Sequence, residues 1–368
     1  MMSSSIIIIY MSRAFRLTHR LLAMAVTSVH QFSITAGNMG LQMALNLART
    51  RNDVESSSNE DCSTNDIAIH LTVHDLHEPN MSKFFQHIEI GGFTDSTNLS
   101  SANNLVSLAE SNPDFVITSL PSCEASEAVV STIVQNLPTP SIENDDVGKG
   151  CVFIDTSTIS PTTSKALHRL VTSVSSHHDY VDAPVSGGVK GATDATLTFM
   201  VGCSSQQMFS SVQHLLQRMG KGVIPCGGPG SGSAVKLCNN AALAAQMMGI
   251  CEAMNLGDAL GVDPTVLAGV MNVSTAKCWS SQINNPHSVA AKGIGSGASA
   301  NGYAGGFGTA LMLKDLNLAV GCGEEEGLVL PISGMARDWY RLADKHGYGK
   351  KDFGVMLQFL KGERGDIP

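Results

Sequence analysis

The sequence predicts an α/β domain built on a parallel sheet, followed by an all-helical domain. Strand-like and helix-like segments alternate from residue 29 to about residue 227. Strand-like alternation is scarce after Gly232. The length of 368 residues suits roughly two domains. With 43% hydrophobic and 15% charged residues, the chain can bury a sizeable core.

The elements follow in order. Residues 1–28 read as a mitochondrial transit peptide. The first 52 residues carry Arg13, Arg16, Arg20, Arg49 and Arg51 and no Asp or Glu. Serines at 3–5 and arginines spaced through apolar residues fit an organelle leader that folds as an amphipathic helix. A secretory signal would place its charges before the apolar run, and here they follow IIIIY at 6–10. That run is also far short of a membrane span. Residues 29–227 are expected to form the α/β domain. A strand at Val29–Thr35 leads into Ala36-Gly37-Asn38-Met39-Gly40, and Leu41, Ala44, Leu45 and Ala48 then recur on one helical face. The polar stretch 51–66 reads as a loop, as does 138–149. Further strands are expected at Ile67–Val73, Phe115–Leu120, Val152–Asp155, Tyr180–Ala183, Leu197–Val201 and Gly222–Pro225. Residues 228–368 are expected to be helical, opening with one long helix at Ser233–Leu260 and Ser233 as its N-cap.

Charge and cysteine usage exclude several functions. The net charge of −9 leaves no general nucleic-acid footprint. Nine cysteines without a C-x-x-C pair argue against a zinc ribbon, and they read as reduced residues of an intracellular protein. On a strand, His70 and His74 would lie about 13 Å apart, too far to share a metal ion.

Three constellations carry chemistry. In the first, backbone N–H groups of residues 36–40 would face a pyrophosphate at a helix start. Thr35 stands where the dinucleotide fingerprint has its first glycine, so the segment reads either as a dinucleotide site or as a plain strand–helix turn. Asp75, at the end of the second strand, suits the ribose hydroxyl of NAD and would repel the extra phosphate of NADP. The second constellation is Ser186-Gly187-Gly188 after a strand. It offers a hydroxyl and open N–H groups to a substrate carboxylate, and it is also a common turn. The third is Lys236 and Asn240, which share a helix face at i, i+4. Lys236 has no acid within a turn on either side, so burial would lower its pKa and let it serve as a base.

These motifs in this order resemble the β-hydroxyacid dehydrogenase family. FIDTSTISP at 153–161, YVDAPVSGGVKGA at 180–192 and GSGSAVKLCNN at 230–240 look like its cofactor, substrate and catalytic signatures. Segments 277–286, 303–319 and 348–360 look like one member in particular. The resemblance implies a Rossmann-type domain, a helical C-terminal domain and an active site in the cleft between them. It implies NAD-dependent oxidation of (S)-3-hydroxyisobutyrate to methylmalonate semialdehyde, a matrix step of valine breakdown. By match to the motifs, Lys236 is catalytic with Asn240 beside it. Ser186, Gly187 and Gly188 bind the substrate carboxylate, and Leu120, Pro121, Thr158 and Lys314 contact the cofactor. Ala125 stands where close relatives have Asn. The expected partners are a small β-hydroxy acid and other copies of the chain, as a dimer or tetramer, with no nucleic acid and no membrane. The alternatives are a glyoxylate, succinic semialdehyde or tartronate semialdehyde reductase of the same family, and a non-catalytic dinucleotide-binding assembly module.

Overall fold

The computed structural model describes residues 7–11, 29–32, 38–48, 68–75, 78–90, 97–138, 150–295 and 297–362. The chain divides into two compact units, Met1–Ala234 and Val235–Pro368. The loop expected at 51–66, residues 139–149 of the loop expected at 138–149, and the turn residues Thr35, Ala36 and Gly37 lie outside the described residues.

Ten strands make the sheet of the first unit: β1 (Ile7–Met11), β2 (Val29–Phe32), β3 (Ala68–His74), β4 (Thr97–Ser101), β5 (Phe115–Ser119), β6 (Val152–Asp155), β7 (Asp179–Asp182), β8 (Val185–Ser186), β9 (Leu197–Gly202) and β10 (Gly220–Gly227). The order along the sheet is β10-β9-β7-β6-β5-β1-β3-β2, with β4 also on β3 and β8 also on β9. Pairs β2–β3, β3–β4, β5–β6, β6–β7 and β9–β10 are parallel. The expectation of an all-parallel sheet fails at three places. β1 runs antiparallel to both β3 and β5, β8 is antiparallel to β9, and β7 meets β9 at a single antiparallel pair, Asp182 and Gly202. Residues 187–196 join β8 to β9, shorter than the crossover of a dozen or more residues that a parallel pair requires.

Both faces of the sheet are covered, as a largely parallel sheet demands. Alternation along β6 and β7 separates the two cores. Ile154 and Val181 join the core built with α1 (Asn38–Ala48), and Phe84 of α2 (Glu78–Ile90) lies in the same core. Phe153 and Tyr180 join the core of α3 (Leu105–Glu110), α4 (Cys123–Asn136) and α5 (Pro161–Val174). Serines start the helices: Ser122 caps α4, Ser160 caps α5 ahead of Pro161, and Ser205 caps α7 (Gln206–Leu216). Between β8 and β9 lies the short α6 (Gly188–Thr193).

The long helix is α8, Ser231–Ala259, 29 residues. It begins two residues before the expected N-cap, Ser233. The Asp182 carboxylate at the end of β7 does the capping instead, accepting N–H bonds from Gly230 at 2.7 Å and Ser233 at 2.8 Å. A carboxylate suits the partial positive charge of a helix start. The approach needs glycine, because a Cβ on Gly232 would overlap the Met200 carbonyl oxygen and one on Gly202 would meet Asp182.

The second unit continues with α9 (Pro264–Val273), α10 (Trp279–Gln282), α11 (Ser288–Ile294), α12 (Thr309–Glu325), α13 (Pro331–Ala343) and α14 (Met356–Leu360). Its core includes Met247, Met254, Met312, Tyr340 and Phe353. The buried Asp352 carboxylate ties three loops together, accepting from Asn284 Nδ2, Phe307 N and Gly354 N at 2.9 Å each. No helix among the described residues is long and apolar enough to cross a membrane. The eight described cysteines are free thiols, three of them buried.

Candidate active site

Strand ends in the first unit carry the residues expected to hold a dinucleotide. Asn38, Met39 and Gly40 form the first turn of α1, while Ala36 and Gly37 precede the described residues. Asp75 follows β3 directly and is buried. It lines a hollow of about 300 Å³ together with Met81, Phe85 and Asn103. The His74 ring nitrogen Nδ1 bonds the Ala102 carbonyl at 2.8 Å and fixes one wall.

The loops after β5 and β6 are tied together. Leu120 N donates to Ser157 Oγ at 2.6 Å, and Ser157 N donates to Asp155 Oδ1 at 2.9 Å. This bond sets Leu120 and Pro121 beside the segment carrying Thr158. Ala125 N is capped by Ser122 Oγ at 3.2 Å, so the helix start of α4 is satisfied without an Asn there. An acid at a strand end, a hollow beside it and loops at carboxyl ends suit a bound NAD.

The Ser186-Gly187-Gly188 segment ends β8 and opens α6. Gly187 has φ +131° and Gly188 φ +63°, conformations that favour glycine. The result is a half-buried hydroxyl followed by two exposed glycines.

In the second unit, α8 places Lys236 and Asn240 one turn apart, 7% and 2% exposed. Burial pulls the Lys236 ammonium below the ordinary lysine value of 10.5. The Asp315 carboxylate opposes that change, and Lys314 adds to it. Asn240 Nδ2 donates to Asp315 Oδ2 at 2.6 Å. Lys314 Nζ lies 3.2 Å from Asp315 Oδ1. The structure therefore brings Lys236, Asn240 and Lys314 around Asp315 of α12, a residue that sequence reasoning did not select. Its one signal was its place directly after Lys314, since nothing local joins it to α8. Asp182 was missed in the same way, read only as part of a strand end.

A buried lysine and an acid-ended sheet fit the class that the comparisons show, the β-hydroxyacid dehydrogenases that bind NAD. A family model described as the NAD binding domain of 6-phosphogluconate dehydrogenase matches residues 33–228. One described as NAD-binding of NADP-dependent 3-hydroxyisobutyrate dehydrogenase matches residues 230–360. Mitochondrial 3-hydroxyisobutyrate dehydrogenase of Drosophila melanogaster is 42% identical over 254 residues, covering 69% of this chain and 74% of the relative. The human enzyme of that name is 45% identical over 217 residues, 59% of this chain, and the match spans 63% of its length. Mycobacterium tuberculosis 3-hydroxyisobutyrate dehydrogenase, solved with L-serine, has a TM-score of 0.71 at 30% identity, covering 88% of this chain and 96% of that one. The chain belongs to the 3-hydroxyisobutyrate dehydrogenase family, with a Rossmann-type unit followed by a helical one, and is an NAD-dependent oxidoreductase.

Were Lys236 the base of the reaction, it would set a pH dependence. A lysine base works unprotonated, so the rate would rise with pH through its pKa, which burial brings below 10.5. Asp315 holds that pKa up. In Asp315→Asn the rising limb of kcat against pH moves toward acid, read from pH–rate profiles of both proteins. An unmoved limb would show that Lys236 is not the titrating base.

Proposed function

We propose that this chain oxidises (S)-3-hydroxyisobutyrate to methylmalonate semialdehyde in the mitochondrial matrix, a step of valine breakdown. The observation that carries the reading is the buried Lys236 with its lowered pKa, one helical turn from Asn240. Lys236 Nζ takes the proton of the substrate hydroxyl as the carbon–hydrogen bond breaks. NAD, when bound, supplies the hydride acceptor. Asn240, held by Asp315, orients the substrate beside Lys236. The Ser186 hydroxyl and the N–H groups of Gly187 and Gly188 hold the substrate carboxylate.

On the cofactor side, Asn38, Met39 and Gly40 with Ala36 and Gly37 hold the pyrophosphate, and Asp75 takes the ribose hydroxyls. Leu120, Pro121, Thr158 and Lys314 make the remaining contacts. An acid at position 75 favours NAD over NADP, because a second phosphate there would meet a negative charge.

Lys236→Ala lowers turnover by roughly 10²–10⁴, the usual contribution of a general acid–base group, and leaves NAD binding nearly intact. Lys236→Arg does not restore it, since a guanidinium stays protonated. Both are measured as NADH absorbance with a panel of β-hydroxy acids and as NAD calorimetry. Wild-type turnover in either variant, or wild-type preference for another acid, sinks the assignment.

Relatives named as mitochondrial support a mitochondrial location, and the acid-free N-terminal stretch supports the matrix. A fusion of residues 1–35 to a fluorescent reporter enters the matrix, and the same fusion with Arg13, Arg16 and Arg20 changed to Glu stays in the cytosol. Cytosolic signal from the unmodified fusion would refute the location.

The exposed face of α13 supports self-association. Ala336, Tyr340 and Ala343 face inward and are buried, whereas Ile332, Met335, Trp339 and Leu342 form an exposed stripe at i, i+3, i+7 and i+10. A second copy covers that stripe across a two-fold axis, which brings the same patch from each copy together. Sedimentation of the wild type gives a dimer or tetramer mass, and Ile332→Asp with Met335→Asp gives a lower one. A monomeric wild type would remove the proposal.

A further inference from the structure

His74 and His70 are too far apart along one strand to share a metal ion, and the cofactor reading gives His74 no part. Yet it is the last residue of β3, directly before Asp75, and only 6% exposed. A buried imidazole costs free energy unless its polar nitrogens find partners. Nδ1 of His74 lies 2.8 Å from the Ala102 carbonyl oxygen. A carbonyl oxygen only accepts, so Nδ1 carries the proton and donates it.

This bond extends the pairing of two strands by one step. β3 and β4 run parallel, with Val73 opposite Ser101, and the hydroxyls of Thr72 and Ser100 meet at 2.7 Å. Just past them, Ala102 N donates to Val73 O at 3.2 Å, and the His74 ring takes the Ala102 carbonyl. Ala102 is thus held by both of its backbone polar groups. The first bond is made by main chain, and almost any residue at position 73 would supply it. The second is made by a side chain, so it needs a donor of set reach at position 74.

The two segments joined in this way are walls of the hollow of about 300 Å³. β3 leads to Asp75 on one side, the residues after β4 bring Asn103 on the other, and α2 adds Met81 and Phe85. Apolar side chains with polar groups around them suit a flat base and its ribose, the adenosine end of NAD. The separation of Asp75 from Asn103 depends on what ties their segments together, and the His74–Ala102 bond lies directly between them in the chain order of both segments.

We propose that His74 is a positioning residue for the cofactor: its ring, donating to Ala102, sets the width of the hollow that takes the adenosine end of NAD. The proposal rests on the reading of Asp75 as the ribose contact. His74→Phe keeps a flat ring of similar volume and removes the donor. His74→Asn keeps an N–H close to the place of Nδ1 on a shorter side chain.

The test is calorimetric titration of the full chain with NAD and with ADP-ribose, which carries the adenosine end without the nicotinamide. NAD binds His74→Phe about fivefold more weakly than wild type, on the scale of one lost hydrogen bond. ADP-ribose loses the same factor. KM for NAD rises with it, while kcat and KM for the hydroxy acid stay within about twofold. His74→Asn recovers NAD binding to within about twofold of wild type. A merely structural role would lower Tm without separating KM for NAD from kcat. Wild-type NAD affinity in His74→Phe, a loss for NAD with none for ADP-ribose, or no recovery in His74→Asn overturns the proposal. Should His74→Phe fail to fold, His74→Leu replaces it. Asp75→Asn tests the ribose contact separately, through the preference for NAD over NADP. An unchanged preference removes the reading of Asp75, and ADP-ribose binding by His74→Phe still decides the role of His74.

Discussion

Burying a lysine ammonium is costly, and the start of the helical unit is organised around that cost. Lys236 sits on α8 among apolar residues, and desolvation lowers its pKa. Burial penalises the charged ammonium relative to the neutral amine. Asp315 supplies the counterweight, itself 2% exposed, accepting a hydrogen bond from Asn240 and paired with the Lys314 ammonium. Removing Asp315 would leave the buried Asn240 amide short of its acceptor.

The first unit solves a different problem with the same residue type. Three of its strands end in an acid or lead directly to one: Asp75 after β3, Asp155 in β6 and Asp182 in β7. All three are buried at the carboxyl edge, where helix starts and loop N–H groups gather. Asp75 faces a hollow, Asp155 holds the loop of Ser157, and Asp182 holds the start of α8. Open α/β sheets bind ligands at this edge, and here two of the three acids are spent on holding the edge in shape.

Much of this was legible in the sequence. The strands at 115–119, 152–155, 179–182 and 197–202 follow from short β-branched and apolar runs, and α8 from its apolar length. The shared helix face of Lys236 and Asn240 followed from spacing, and their expected roles from the resemblance of the 230–240 segment. Asp315 did not, because its partners on α8 are 75 or more residues away and only folding joins them. Ser233 looked like an N-cap, the commonest role for a serine before a helix, yet the helix starts earlier and Asp182 takes that role from another strand. β1 lies within the segment expected to be a leader, and its pairing with β3 and β5 is a long-range contact that no local pattern announces.

The Ser186–Gly188 turn shows how a common motif becomes a specific one. Both glycines take positive φ, so a side chain at either position strains the backbone. They differ in their surroundings. A Cβ at Gly188 would meet nothing within 4 Å, whereas one at Gly187 would lie 3.1 Å from Leu197 Cδ2. Gly187 is therefore held by conformation and by packing together, and Gly188 by conformation and by whatever approaches from solvent. An exposed position that needs positive φ and has open space before it is where a ligand's oxygen can reach a backbone N–H unobstructed. The fold spends its packing on Gly187 to shape the turn and leaves the face of Gly188 open.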